Sequence, residues 1–149
     1  TILSIIEAAM QLQERHWGGL IVIQKETGLR SYKEQGTQLK AEVTAPLLVS
    51  IFNPSSPLHD GAVIIQNDII DAAACILPLT ESKMIDPEMG TRHRAALGIS
   101  EETDAIVILI SEEKARISVA EDGRFSHIGI DEVGLQKFLN DRMFISSGD

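Results

Sequence analysis

Apolar residues recur at helical spacing at the start of the chain: Ile2, Ile5, Ile6, Ala9, Met10 and Leu12. Thr1 or Ser4 can cap this segment and Gly18-Gly19 punctuates its far end, which predicts an amphipathic opening helix. Residues 20–23 form a short β-rich run, and Thr44 before Ala45-Pro46 and the apolar 47–52 predicts a capped, buried helix. The stretch between them is polar and without a clear period. Asn53-Pro54-Ser55-Ser56-Pro57 reads as a loop, followed by strands at 62–65 and 69–77 joined at Asn67-Asp68. A second loop at 81–90, with Asp86-Pro87, leads into a helical segment from about 91 to 102. Residues 105–110, 115–120 and 125–128 read as strands, the last two joined by a turn at Asp122-Gly123, and Asp131 caps a closing helix to about residue 144. Hairpins mixed with helices at both ends and in the middle predict a mixed α/β fold, a central mixed β-sheet flanked by α-helices. Without an internal repeat or linker, residues 1–149 read as a single domain.

Composition narrows the function more than the fold. At 149 residues and 44 % hydrophobic content the chain can bury one core. A net charge of −9 disfavours long nucleic acid and anionic lipid as partners, since the average surface repels both. A small polyanion can still bind at a local basic cluster. The single cysteine, Cys75, lies in an apolar stretch, forms no internal disulfide and reads as a core residue of a protein in a reducing compartment. No apolar run approaches the ~18 residues that span a bilayer, and the start lacks the pattern of a signal peptide. The missing initiator Met fits a domain cut from something longer, with any anchor outside it.

The common nucleotide, zinc and redox signatures are absent: no G-K-[ST] loop, no G-x-G-x-x-G, no H-E-x-x-H and no C-x-x-C. Two polar islands stand out where loops enter regular elements. In Gly90-Thr91-Arg92-His93-Arg94, Thr91 can cap a helix whose free N–H groups, with Arg92 and Arg94, suit phosphate oxygens. The same residues equally describe a solvated face near Glu101 and Glu102. In Leu58-His59-Asp60-Gly61-Ala62, the glycine allows a tight backbone approach, and the Asp60 carboxylate can hold a divalent cation or accept a proton. Asp-Gly is also a common turn dipeptide. His59 can ligate through its imidazole, whereas His16 and His127 have no comparable context. Ser111-Glu112-Glu113 follows the strongest predicted strand, a place where ligand sites form, and Glu113 can complete a metal site with His59 or Asp60.

Together, Pro57-Leu58-His59-Asp60-Gly61-Ala62 and Gly90-Thr91-Arg92-His93-Arg94-Ala95-Ala96-Leu97-Gly98 resemble the D-G-A and R-H-R motifs of the diadenylate cyclase family. The likeness runs from the opening helix through Ile117-Ser118-Val119-Ala120 and is similar to the branch whose catalytic domain follows transmembrane helices in a bacterial membrane protein. It implies an enzyme that condenses two ATP into the second messenger cyclic di-AMP and releases pyrophosphate. The implied catalytic set is Asp60, Gly61, Ala62, Arg92, His93 and Arg94. Gly61, Leu77, Gly90, Thr91, Arg92, Arg94, Ser111 and Glu113 would bind ATP, and His59, Asp60 and Glu113 would hold a divalent metal, manganese, cobalt or magnesium. A ligating imidazole favours the first two. The family commonly has Thr-Gly where this chain has Lys114-Ala115, a substitution expected to reshape the loop. The resemblance further implies a homodimer with two ATP sites face to face, no nucleic acid partner, and a cytoplasmic position reached through a membrane segment outside this chain. A nucleotide-binding or regulatory module without turnover, and a purely structural interaction domain, are the competing readings.

Overall fold

The computed structural model describes residues 1–83, 86 and 89–147, the last four by backbone alone. In chain order the elements are α1 (Ile2–Arg15), β1 (Gly19–Ile23), α2 (Arg30–Glu34), β2 (Thr37–Glu42), α3 (Ala45–Phe52), β3 (Ala62–Gln66) and β4 (Ile69–Cys75). They continue with α4 (Thr91–Glu102), β5 (Ile106–Ser111), β6 (Arg116–Glu121), β7 (Arg124–Ile128) and α5 (Glu132–Ser147). The loop expected at 81–90 falls partly outside the described residues.

One sheet of seven strands runs β2-β4-β3-β1-β5-β6-β7. Only β1 and β3 pair in parallel, and every other neighbour is antiparallel. The central strands read as unbroken apolar runs because both of their faces are covered. Ile21 and Ile23 of β1, Val63 and Ile65 of β3, and Ile106, Ile108 and Ile110 of β5 point into a core shared with α1, α3 and α5. Their neighbours Leu20, Val22, Ile64, Val107 and Leu109 point into a second core under α4 that also buries Leu29, with Tyr32 at its margin. Each such side chain contributes roughly 1.5–3 kcal/mol by burial, so a one-residue slip in register would exchange two apolar sets at once.

Helix boundaries follow from local chemistry. Thr44 Oγ1 accepts the Leu47 N–H at 3.3 Å and Pro46 stands in the first turn of α3, while Asp131 Oδ1 accepts the Gly134 N–H at 2.8 Å to start α5. α1 ends two residues before Gly18, on His16 in the left-handed conformation (φ 59°), whose N–H bonds back to the Gln13 carbonyl. The two glycines are thereby left to other uses. β4 stops at Cys75 rather than continuing to residue 77, and Ile76 beyond it is 67 % exposed. The polar 24–43 stretch supplies two elements without a sequence signal, the five-residue α2 with no buried residue and the edge strand β2.

Cys75 is buried as expected, and burial pushes its thiol up to about 11.

Asp104 fastens the segment after β1 to the start of β5. Its carboxylate oxygens accept the N–H groups of Glu26 and Thr27, each at 3.0 Å. Burial alone would raise this carboxyl, but the bonds from Thr27 and Glu26 outweigh it and hold the group below its ordinary value. A carboxyl depressed on folding stabilises above its unfolded-state pKa and loses that contribution as pH falls through the folded one. Asp104→Ala should therefore lower stability at neutral pH by up to about 1 kcal/mol, given the exposure of the group. Denaturant titrations across pH should show the gap from the native chain closing in acid.

Candidate active site at one end of the sheet

The pairing registers decide where polar chemistry can gather. Gly19 at the start of β1 faces Ile110 near the end of β5, Ser111 at that end faces Arg116 at the start of β6, and Ala62 at the start of β3 faces Cys75 at the end of β4. Since β3 runs parallel to β1, all these termini lie at one end of the sheet. The first turn of α4 arrives at the same end. Between them lies a cavity of about 740 Å³, within the roughly 300–1,000 Å³ usual for small-molecule sites.

His59, Asp60 and Gly61 form one wall. Their loop holds itself in shape: Ser55 N–H bonds Asn53 Oδ1 at 2.9 Å, and Leu58 N–H bonds Ser56 Oγ at 3.0 Å. His59 Nδ1 lies 2.7 Å from the Ser56 carbonyl, to which it can only donate, so Nε2 is the ring nitrogen left to meet a ligand. Gly61 adopts φ 116°, and a Cβ there would stand 2.8 Å from the Ala74 carbonyl carbon. Only glycine fits this turn. Ala62, expected in the catalytic set, is instead fully buried as the first residue of β3 and packs in the second core.

Gly90, Thr91, Arg92 and His93 form the opposite wall. Gly90, not Thr91, is the N-cap of α4, so the capping residue itself supplies no side-chain bond. The N–H groups of the first turn thus lack intrahelical partners at the positive end of the dipole. Arg92, its side chain 26 % exposed, meets Glu112 at 3.3 Å. His93 stacks edge-on against Phe125, ring centroids 5.8 Å apart. Burial pushes its imidazole below the ordinary value, and Arg116, Lys114 and Arg92 push it further against Glu113, which favours the neutral ring. Arg94 does not line the cavity. A helix turns about 100° per residue, so Arg92 and Arg94 project some 200° apart and only one faces the opening.

The remaining wall comes from Leu77 and from Ser111 and Glu113 on the β5–β6 turn, with Lys114 and Arg116 beside them. The turn keeps its shape without glycine: Ala115 takes φ 47°, strands β5 and β6 stay in register on either side, and Gln13 Nε2 donates to the Ala115 carbonyl at 2.9 Å. The proposed metal ligands His59 and Asp60 face Glu113 across the cavity, but among the described residues no three His, Cys, Asp or Glu side chains stand together as a metal site. Arg116, Glu112 and Gly18 were missed as site residues. Arg116 and Gly18 read as parts of a strand and of a helix stop, and only their place at the sheet end brings them to the cavity.

A mixed sheet with an aspartate-glycine turn, a helix N-terminus and both cationic and acidic side chains around one cleft defines an α/β domain with a pocket of small-molecule size. The family described as DisA bacterial checkpoint controller nucleotide-binding matches residues 6–125, and the chain belongs to this family. Among curated relatives, cyclic di-AMP synthase CdaA of Bacillus subtilis is 48 % identical over 139 residues, covering 93 % of this chain and 50 % of that protein. The chain therefore spans about half the length of that relative. A solved structure of a DacA double mutant from Staphylococcus aureus superposes with a TM-score of 0.93 at 43 % identity, covering 96 % of this chain and 95 % of the other. A Bacillus cereus structure titled as a hypothetical membrane spanning protein gives 0.82 at 48 % identity, covering 86 % and 63 %.

Gly61→Ala should lower stability by roughly 1–3 kcal/mol, through the strained φ and the contact with Ala74. Thermal melting checks it, and an unchanged midpoint would mean the turn tolerates a side chain.

Proposed function

We propose that the chain is a diadenylate cyclase domain that joins two ATP molecules into cyclic di-AMP with release of pyrophosphate. The observation that carries this reading is the meeting of the Asp60-Gly61 turn and the α4 N-terminus on one cavity. The curated relative named cyclic di-AMP synthase supports it. In each linkage the 3′-hydroxyl oxygen of one ATP attacks the α-phosphorus of the other, a new O–P bond forms, and the bond to pyrophosphate breaks. Asp60 receives the hydroxyl proton. Arg92 and the free N–H groups at Gly90 to His93 neutralise the triphosphate, and Gly61 lets the backbone approach it. Leu77 offers the base an apolar wall, with Ser111 and Glu113 opposite. His93 packs against Phe125 beside the phosphate-binding turn, and Arg94, on the far side of the helix, adds charge more than contact.

The donor set fits a divalent cation completed by phosphate oxygens: an imidazole with a free Nε2 and the carboxylates of Asp60 and Glu113, too few together to cage an ion. Manganese, cobalt or magnesium bound there supplies charge neutralisation and lowers the pKa of the attacking hydroxyl.

One chain offers one copy of each motif, whereas the product has two equivalent linkages. A two-fold homodimer with facing sites satisfies both attacks with the same residues. The curated relative's greater length and the likeness to a Bacillus cereus protein described as membrane spanning support a cytoplasmic domain of a bacterial membrane-anchored protein. No helix among the described residues is long and apolar enough to cross a membrane.

Incubation with ATP and manganese should yield cyclic di-AMP by mass spectrometry, and nucleotide binding without product would favour the non-enzymatic reading. Asp60→Asn should abolish product while keeping much of the ATP affinity. Arg92→Ala should weaken ATP binding by about tenfold or more, Arg94→Ala by less, as isothermal titration would register. Specific activity should rise with enzyme concentration in the dilute range; independence of dilution, on a species shown to be monomeric with ATP and metal, would remove the dimer.

A further inference from the structure

Gly18 is buried between the end of α1 and the start of β1, and its φ lies outside the left-handed region, so its backbone does not itself require glycine. A Cβ built on it would stand 2.3 Å from Arg92 Nη1, 2.5 Å from Cζ and 3.0 Å from Nη2, and these are the nearest atoms it would meet. The Arg92 guanidinium therefore lies against the bare Cα of Gly18. On its other side Nη1 reaches Glu112 Oε1 at 3.3 Å. Gly18 and Arg92 both line the cavity, 74 positions apart in the chain by subtraction of their numbers.

The geometry points to Gly18 as a positioning residue for Arg92: the missing side chain leaves a shelf on which the guanidinium rests, with Glu112 as its anionic stop, so the charge is aimed into the cavity before any ligand arrives. An arginine side chain has much rotamer freedom to lose on binding a phosphate, and a guanidinium already confined loses less. Because the conflicting atoms are the far end of a flexible side chain, a methyl at position 18 should displace the guanidinium and leave the fold intact. Glycine is kept here for the sake of a group on a distant helix.

Two measurements test this. The first needs no nucleotide and so stands apart from the proposed function. In arginine side-chain NMR of the ligand-free chain, the Arg92 Nε–H signal, assigned by its loss in Arg92→Ala, should lie away from those of exposed arginines, and Gly18→Ala should move it among them. An unmoved signal overturns the inference. The second rests on ATP being the ligand and is a double-mutant cycle on ATP affinity. Gly18→Ala should weaken binding about as much as Arg92→Ala, near tenfold, with the melting temperature kept, and the double variant should bind no worse than Arg92→Ala alone. Additive losses, or a double variant that fails to fold, would mean that the methyl collides with something other than the guanidinium and would overturn the assignment. A native chain that binds no ATP while Gly18→Ala still shifts the Arg92 signal would instead sink the proposed function and leave the positioning role standing.

Discussion

Burial of the central strands on both faces is the constraint from which the site follows. β1, β3 and β5 give alternate side chains to two different cores, and an unpaired polar group in either would cost roughly 1–3 kcal/mol. Polar chemistry is confined to the strand ends, where the cores stop. The registers then choose which ends: with β1 and β3 parallel and β4 and β5 opposed to them, one edge of the sheet collects the Asp60-Gly61 turn, the chain after Cys75, and the Ser111-to-Arg116 turn. α4 adds the fourth side with the N–H groups of its first turn, which have no partner within the helix.

Charge is distributed against the average. The chain carries −9 overall, yet Arg92, Lys114 and Arg116 gather at the cavity and all depress the His93 imidazole. Asp60, Asp86, Glu112 and Glu113 line the same cavity, so its walls are mixed in charge rather than simply acidic like the average surface. Glu112 and Glu113 keep that region from being uniformly positive, and the Arg92–Glu112 pair shows how one carboxylate acts as a stop for the cation it faces.

What could be read in advance divides along physical lines. The apolar runs at 20–23, 62–65 and 105–110 announced themselves because two-sided burial leaves no polar residue to blur them. β2 did not, since its apolar alternation at Leu39 and Ala41 is short and only half-buried, and Lys40 at φ 52° interrupts the regular strand. α2 buries nothing and so leaves no period. At the site, adjacency in sequence was a good guide within the loop holding His59, Asp60 and Gly61. It misled within α4, where Arg94 shares a motif with Arg92 but not a direction, and at Ala62, where the cavity wall has already given way to core. Contacts that join distant segments, such as Gly18 with Arg92, leave no trace in spacing.

The two outer strands have a consequence for how copies of this molecule meet. β2 is mostly polar on its free side and bent out of register at residues 38–41, and β7 is five residues long with a register shift in its only pairing. Bulged, short or polar borders of this kind resist continuation of the ladder by a neighbouring molecule. The sheet is thus guarded at both borders against lateral growth by strand addition.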